Sequence, residues 1–148
     1  MKANFYLLGL GLILFACGSN KSEPAELPDA EINMWKIDQD STGNLVMQKT
    51  IAPEMDTLTA ENIISYLNNN NPSVKLDYVK TSGDTLFLKI ADANYLTQQM
   101  GSSGSTVYMA EVVYNFTELP GIRLVSFDFQ EGDHAQPGIY TRESFKDN

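Results

Sequence analysis

Residues 105–119, STVYMAEVVYNFTEL, set the strongest constraint on how this chain folds. On a helix, Val107, Tyr108, Met109, Ala110, Val112, Val113, Tyr114, Phe116 and Leu119 spread around most of the cylinder, and Glu111 and Glu118 supply a polar side. A helix apolar on nearly every side is stable only when other elements enclose it. Pro120-Gly121 ends it, because proline cannot continue a helix and glycine accepts the turn that follows. The flanking segments must therefore provide the enclosing layers.

Their patterns suit that task. Residues 74–90 read as two strands around Ser82-Gly83-Asp84, with Val74, Leu76 and Tyr78 alternating onto one face and Leu86, Leu88 and Ile90 doing the same. Residues 122–129 form a further strand with Val125, Phe127 and Phe129 facing one way. Upstream, 32–38 and 45–51 alternate apolar and polar residues across a turn holding Gly43, as a hairpin does. Between hairpin and strands, DTLTAENIISYLNNNN reads as a helix with Thr59 as N-cap, Leu58, Ile63, Ile64 and Leu67 on one face, and the asparagine run and Pro72 as its stop. A short strand is expected near 138–141, followed by a fraying end. The order β-β-α-β-β-α-β predicts an α+β fold, a small mixed β-sheet with two helices packed on one face.

The amino-terminal end is of another kind. Lys2 is followed by FYLLGLGLILFA, residues 5–16, twelve residues without a charge. A bilayer core needs about twenty apolar residues, so this run has the length of a signal-peptide core. It ends in Leu14-Phe15-Ala16-Cys17, which resembles the lipobox of bacterial lipoproteins. That resemblance implies a diacylglycerol thioether on Cys17, cleavage of residues 1–16, and anchoring in a membrane by two or three acyl chains. Gly18 replaces the aspartate that retains enterobacterial lipoproteins at the inner membrane, so the outer membrane is the expected location. Residues 18–31, with two prolines, small polar residues and four acids, read as a flexible tether after the lipidated cysteine. Residues 32–148 then form a single globular domain.

Composition narrows the partners. Ten Lys+Arg against nineteen Asp+Glu give −9, which argues against nucleic acid, since phosphate binding needs clustered cations. A lone cysteine forms no internal disulfide, and one His with one distant Cys is a poor start for zinc. No cofactor motif is present.

The stretch GDTLFLKIADANYLTQQMGSSGSTVYMAEVVYNFTELPGIRLVSFDF, residues 83–129, resembles the GerMN domain of sporulation and germination lipoproteins. Asn115-Phe116-Thr117-Glu118-Leu119-Pro120-Gly121-Ile122 corresponds to that family's helix end, Val125-Ser126-Phe127 to the following strand and Gly132 to the turn after it. Lys89 stands where the family often has Asp, Asn115 where it often has Thr, and the closing loop is longer by Asp133 and His134. The resemblance implies a compact domain similar to the ring-building modules of envelope machines, frequently lipid-anchored. It carries no catalytic residues.

Other candidate sites are local. Asp128, Glu131, Asp133 and His134 offer oxygen and imidazole ligands, but no calcium-loop spacing, so a solvated acidic loop is expected. Ser102, Ser103 and Ser105 lie among Gly101 and Gly104 ahead of the long helix. Such a start can hold an anion, yet no Lys follows as in a phosphate loop, and Ser105 is expected as a cap. Asp40-Ser41-Thr42, Asp56-Thr57-Leu58 and Asp84-Thr85-Leu86 resemble the O-glycosylation acceptor of Bacteroidota envelope proteins. Trp35 is either a contact residue or core.

No Ser-His-Asp pattern is legible, and enzyme activity is not expected; a shifted acid in a cleft, Asp128 or Glu131, would be needed to revive it. The expected function is that of a lipid-anchored bacterial envelope protein acting through protein–protein contacts, in assembly or tethering, with self-association included. The alternative is a lipoprotein binding a small ligand such as a peptidoglycan fragment or sugar.

Overall fold

The computed structural model describes residues 35–39, 41, 45–49 and 58–146. Cys17, the segment before it and the tether 18–31 lie outside the described residues.

The elements run β1 (Trp35–Gln39), β2 (Leu45–Lys49), α1 (Ala60–Asn70), β3 (Asp77–Ser82), β4 (Thr85–Lys89), a π-helical turn (Tyr95–Gln99), α2 (Gly101–Phe116), β5 (Leu124–Asp128), β6 (Gly138–Tyr140) and a 3-10 turn (Arg142–Phe145). The class is α+β and the expected order holds. The strands, however, form two sheets rather than one. β3-β4-β5-β6 is a mixed four-stranded sheet, while β1 and β2, among the described residues, pair with each other alone. The long connection through α2 lets β4 and β5 run parallel, and the neighbouring pairs are antiparallel.

Alternation explains the main sheet. Leu86, Leu88 and Ile90 from β4 and its exit, with Val125, Phe127 and Phe129 from β5 and its exit, are buried. They join Ile63, Tyr66 and Leu67 of α1 and Tyr108, Met109, Val112, Val113 and Phe116 of α2 in a single core. Each such aliphatic or aromatic side chain contributes about 1.5–3 kcal/mol by leaving water. The turn between β3 and β4 puts Gly83 at φ +61 with no positive φ at Asp84, the arrangement in which a two-residue loop follows the twist of its strands. The Asp84 carbonyl accepts the N–H groups of Arg123 and Leu124 at 2.9 and 3.1 Å, so the same turn aligns the start of β5.

Three expectations are corrected. Tyr78 is 43% exposed instead of sharing the core face of Val74 and Leu76, because β3 begins only at Asp77, lies at the sheet edge and is bulged between Tyr78 and Lys80. The helix expected at 105–119 begins four residues earlier, at Gly101, and ends at Phe116. Residues 141–146 do not fray but make the 3-10 turn that docks through Arg142.

The asparagine run does more than stop α1. Thr59 caps the helix by accepting the Asn62 N–H, as expected. At the other end the Asn70 and Asn71 side-chain amides donate to the Tyr66 and Leu67 carbonyls at 3.2 Å, and the Asn71 main-chain N–H gives Leu67 a further bond at 2.9 Å. Asn68 holds both main-chain groups of Leu76, accepting its N–H at 2.8 Å and donating to its carbonyl at 3.0 Å. A side-chain amide thus stands in for a neighbouring strand.

Candidate functional site

The site grows from α2. Its glycine- and serine-rich first turn has weak helical propensity, yet it is helical because the preceding π-helical turn delivers it. Ser105 lies inside the helix, fully buried, and its hydroxyl donates to the Leu96 and Gly101 carbonyls at 2.6 and 2.8 Å. The expectation that it caps the helix is therefore overturned: its hydroxyl tethers α2 to the turn before it.

The hairpin docks on the far end of α2. Asn115, 1% exposed, accepts the Trp35 N–H at 3.2 Å and donates to the Trp35 carbonyl at 3.1 Å. Glu118, the next acid on that flank, accepts from Trp35 Nε1 at 2.9 Å, Lys49 Nζ at 2.8 Å and Arg142 Nη2 at 2.6 Å. Arg142 also donates to Thr117 Oγ1 and the Tyr114 carbonyl, and its guanidinium lies 5.0 Å from the ring centres of both Trp35 and Tyr114. Burial would push the Glu118 carboxyl up, but the hydrogen bonds from Lys49, Arg142 and Trp35, with the Arg142 charge, outweigh it and hold the carboxyl at about 2. Trp35 is accordingly a half-buried anchor rather than a free contact residue.

Between hairpin and helix runs a groove of about 650 Å³. Trp35, Ile37, Val46 and Met47 form one wall, and Ser103, Thr106, Val107, Ala110 and Tyr114, at helical spacing along α2, form the other. Ser102, Phe145 and Lys146 complete it, and the Lys146 ammonium is paired with Glu143 at 2.8 Å. Such a volume, apolar walls and a few polar groups are the features of a binding cleft. Beside it on α2, burial pushes the Glu111 carboxyl up, and no described cation meets it. The neighbouring Tyr108 hydroxyl is buried without a partner among the described residues, and burial with the Glu111 charge pushes its ionisation up.

The sites read from the sequence are dispersed. Asp128 and Glu131 are exposed, and no cluster of three metal-ligating side chains forms among the described residues. Asp133 meets Gln98, whose amide, oriented to suit both, donates to the carboxylate at 3.1 Å and accepts the Asp133 N–H at 3.2 Å. His134 Nδ1 lies 3.0 Å from Ser102 Oγ, a contact that nothing in the sequence signalled, across 32 residues. No described carboxylate bonds to this histidine, so the orienting third partner of a serine nucleophile is missing among the described residues. Gly132 allows this loop to lie against the π-helical turn: a Cβ there would stand 2.6 Å from the Thr97 Cβ. Thr85 of the second Asp-Thr-Leu match is 9% exposed within β4, closed to glycosylation in the folded protein, while Ser41 is exposed. Asp40, Thr42, Asp56 and Thr57 lie outside the described residues, as does Cys17.

Asn115 and Glu118 are the residues of the candidate site that reading the sequence missed. The one registered only as a family departure and the other as polar surface. Their spacing of three at the end of a mostly apolar segment was the available signal. No family model, no curated protein and no solved structure matches the chain.

Proposed function

We propose that the protein is a lipid-anchored component of a bacterial cell envelope that acts without catalysis, by protein–protein contact, and that the groove between hairpin and α2 is its contact surface. The groove is the observation that carries this reading: it is concave, apolar and open, and hydrogen bonds that Trp35 donates to Asn115 and Glu118 hold it in shape. The location comes from Leu14-Phe15-Ala16-Cys17, and the reach from residues 18–31. The outer membrane is the membrane we assign. A small-ligand reading is less well served, because the Trp35 ring that would stack on a sugar already carries the Arg142 and Lys49 cations at 5.0 and 5.8 Å.

Anchoring has a direct test. In cells fed an alkyne fatty acid, the wild-type chain is expected to take up label, lose residues 1–16 and sediment with membranes. Cys17→Ser is expected to lose the label and keep its leader, since only the cysteine sulfur accepts the thioether. Equal labelling of the variant, or a cleaved and soluble wild type, would remove the anchor from the account.

A further inference from the structure

Main-chain groups along a strand point alternately toward and away from its partner. Trp35 gives its N–H and takes its second bond from Asn115, so both groups turn away from Lys49 opposite it. Ile37, two residues on and opposite Met47, therefore turns its N–H and C=O the same way. At Trp35 the Asn115 amide occupies the place of a third strand, as the Asn68 amide does for Leu76. At Ile37 no described group outside the hairpin does so. The Ile37 side chain lines the groove. An open strand edge and an apolar cleft thus meet at one residue.

We propose that the β1 edge at Ile37 receives an extended segment of a partner polypeptide as a third strand, with alternate apolar side chains seated in the groove against Val107 and Ala110 and basic residues between them. Strand addition draws affinity from main-chain hydrogen bonds and specificity from pockets for alternate side chains. The chain's net charge of −9 favours a basic partner over an acidic one, and the basic residues lie on the outer face of the added strand, away from α2. Asn115 sets the register, because it closes the ladder at Trp35 and leaves the added strand to begin opposite Ile37. This inference rests on the groove being the contact surface.

The probe is a ten-residue alternating Lys-Val peptide added to the full chain in detergent micelles, read by amide hydrogen exchange and by emission of Trp35, the single tryptophan. The peptide is expected to slow exchange at Ile37 by about tenfold or more and to shift Trp35 emission. A backbone N-methylated peptide, lacking the donors, is expected to do neither, and a Glu-Val peptide to bind more weakly. Ile37→Pro is expected to abolish the response while the hairpin persists, because the lost N–H points away from β2. A shift of Trp35 emission without protection at Ile37 overturns strand addition but keeps the groove; no response of either kind removes both. Protection already present without peptide also overturns the proposal: if dilution removes it, the edge belongs to a second copy, and if not, to the chain itself.

Discussion

Phe116→Ala is expected to destabilise the protein by about 3–5 kcal/mol. Phe116 is fully inaccessible to solvent and is the largest completely buried side chain of the described core. It lies in the last turn of α2, the element that touches both the main sheet and the hairpin. Its removal leaves a cavity inside the core cluster, and relaxation there is limited by the close packing of the core. Urea unfolding followed by far-ultraviolet circular dichroism is expected to show a lower midpoint with an unchanged slope. A loss below about 1 kcal/mol would mean that the end of α2 is not enclosed as described, since even single-methylene core deletions reach that size.

Glu118→Gln is expected to loosen the hairpin while sparing the main sheet. The carboxylate draws together three donors from β1, β2 and the 3-10 turn. Glutamine keeps an acceptor for Trp35 but removes the charge that Lys49 and Arg142 face. Hydrogen bonds to charged groups contribute about 1.5–3 kcal/mol each where buried, and less for Lys49, whose side chain is 41% exposed. The expected sum is about 1–3 kcal/mol, taken from the docking of the hairpin. The hairpin supplies no fully buried core residue among those described, so the core is expected to hold.

Hydrogen exchange is expected to accelerate in Trp35–Gln39 and Leu45–Lys49 but not in Thr85–Lys89. Acid is expected to mimic the substitution. The folded carboxyl lies at about 2 against 4.5 for a free glutamate, so its stabilisation is whole above about pH 4.5 and is lost as pH falls toward 2. In the variant, that acid step at Trp35 is expected to vanish. An unchanged step would show that another group releases the hairpin.

Legibility in the sequence followed how local each cause is. Leu86, Leu88, Ile90, Val125, Phe127 and Phe129 announce their burial by alternation, which strand geometry enforces without reference to the rest of the chain. The burial of α2 followed from its own composition, and the Thr59 cap from a single residue type in the right place. What failed depends on distant partners. The extra turn at Gly101 needs Leu96 to receive the Ser105 hydroxyl. The docking of the hairpin on α2 needs Asn115, 80 residues from Trp35, to bond the main chain of β1 at that residue. The exposure of Tyr78 follows from a bulge that no local pattern in residues 77–82 marks. Glu118 looked like surface because its three donors come from widely separated segments. The groove exists only once those contacts are made.

The central claim is that the face between hairpin and α2 meets another polypeptide in the envelope. A photo-activated cross-linking residue placed at Val46, which lines the groove and is 40% exposed, tests it in living cells with the full chain. The same probe at Lys75, exposed and ahead of β3 on another part of the surface, serves as the control. The account predicts a discrete adduct with one envelope protein from position 46, its loss when Ala110→Glu fills the groove with charge, and none from position 75. Equal adducts from both positions, or none from position 46 while the chain is anchored and folded, would contradict it.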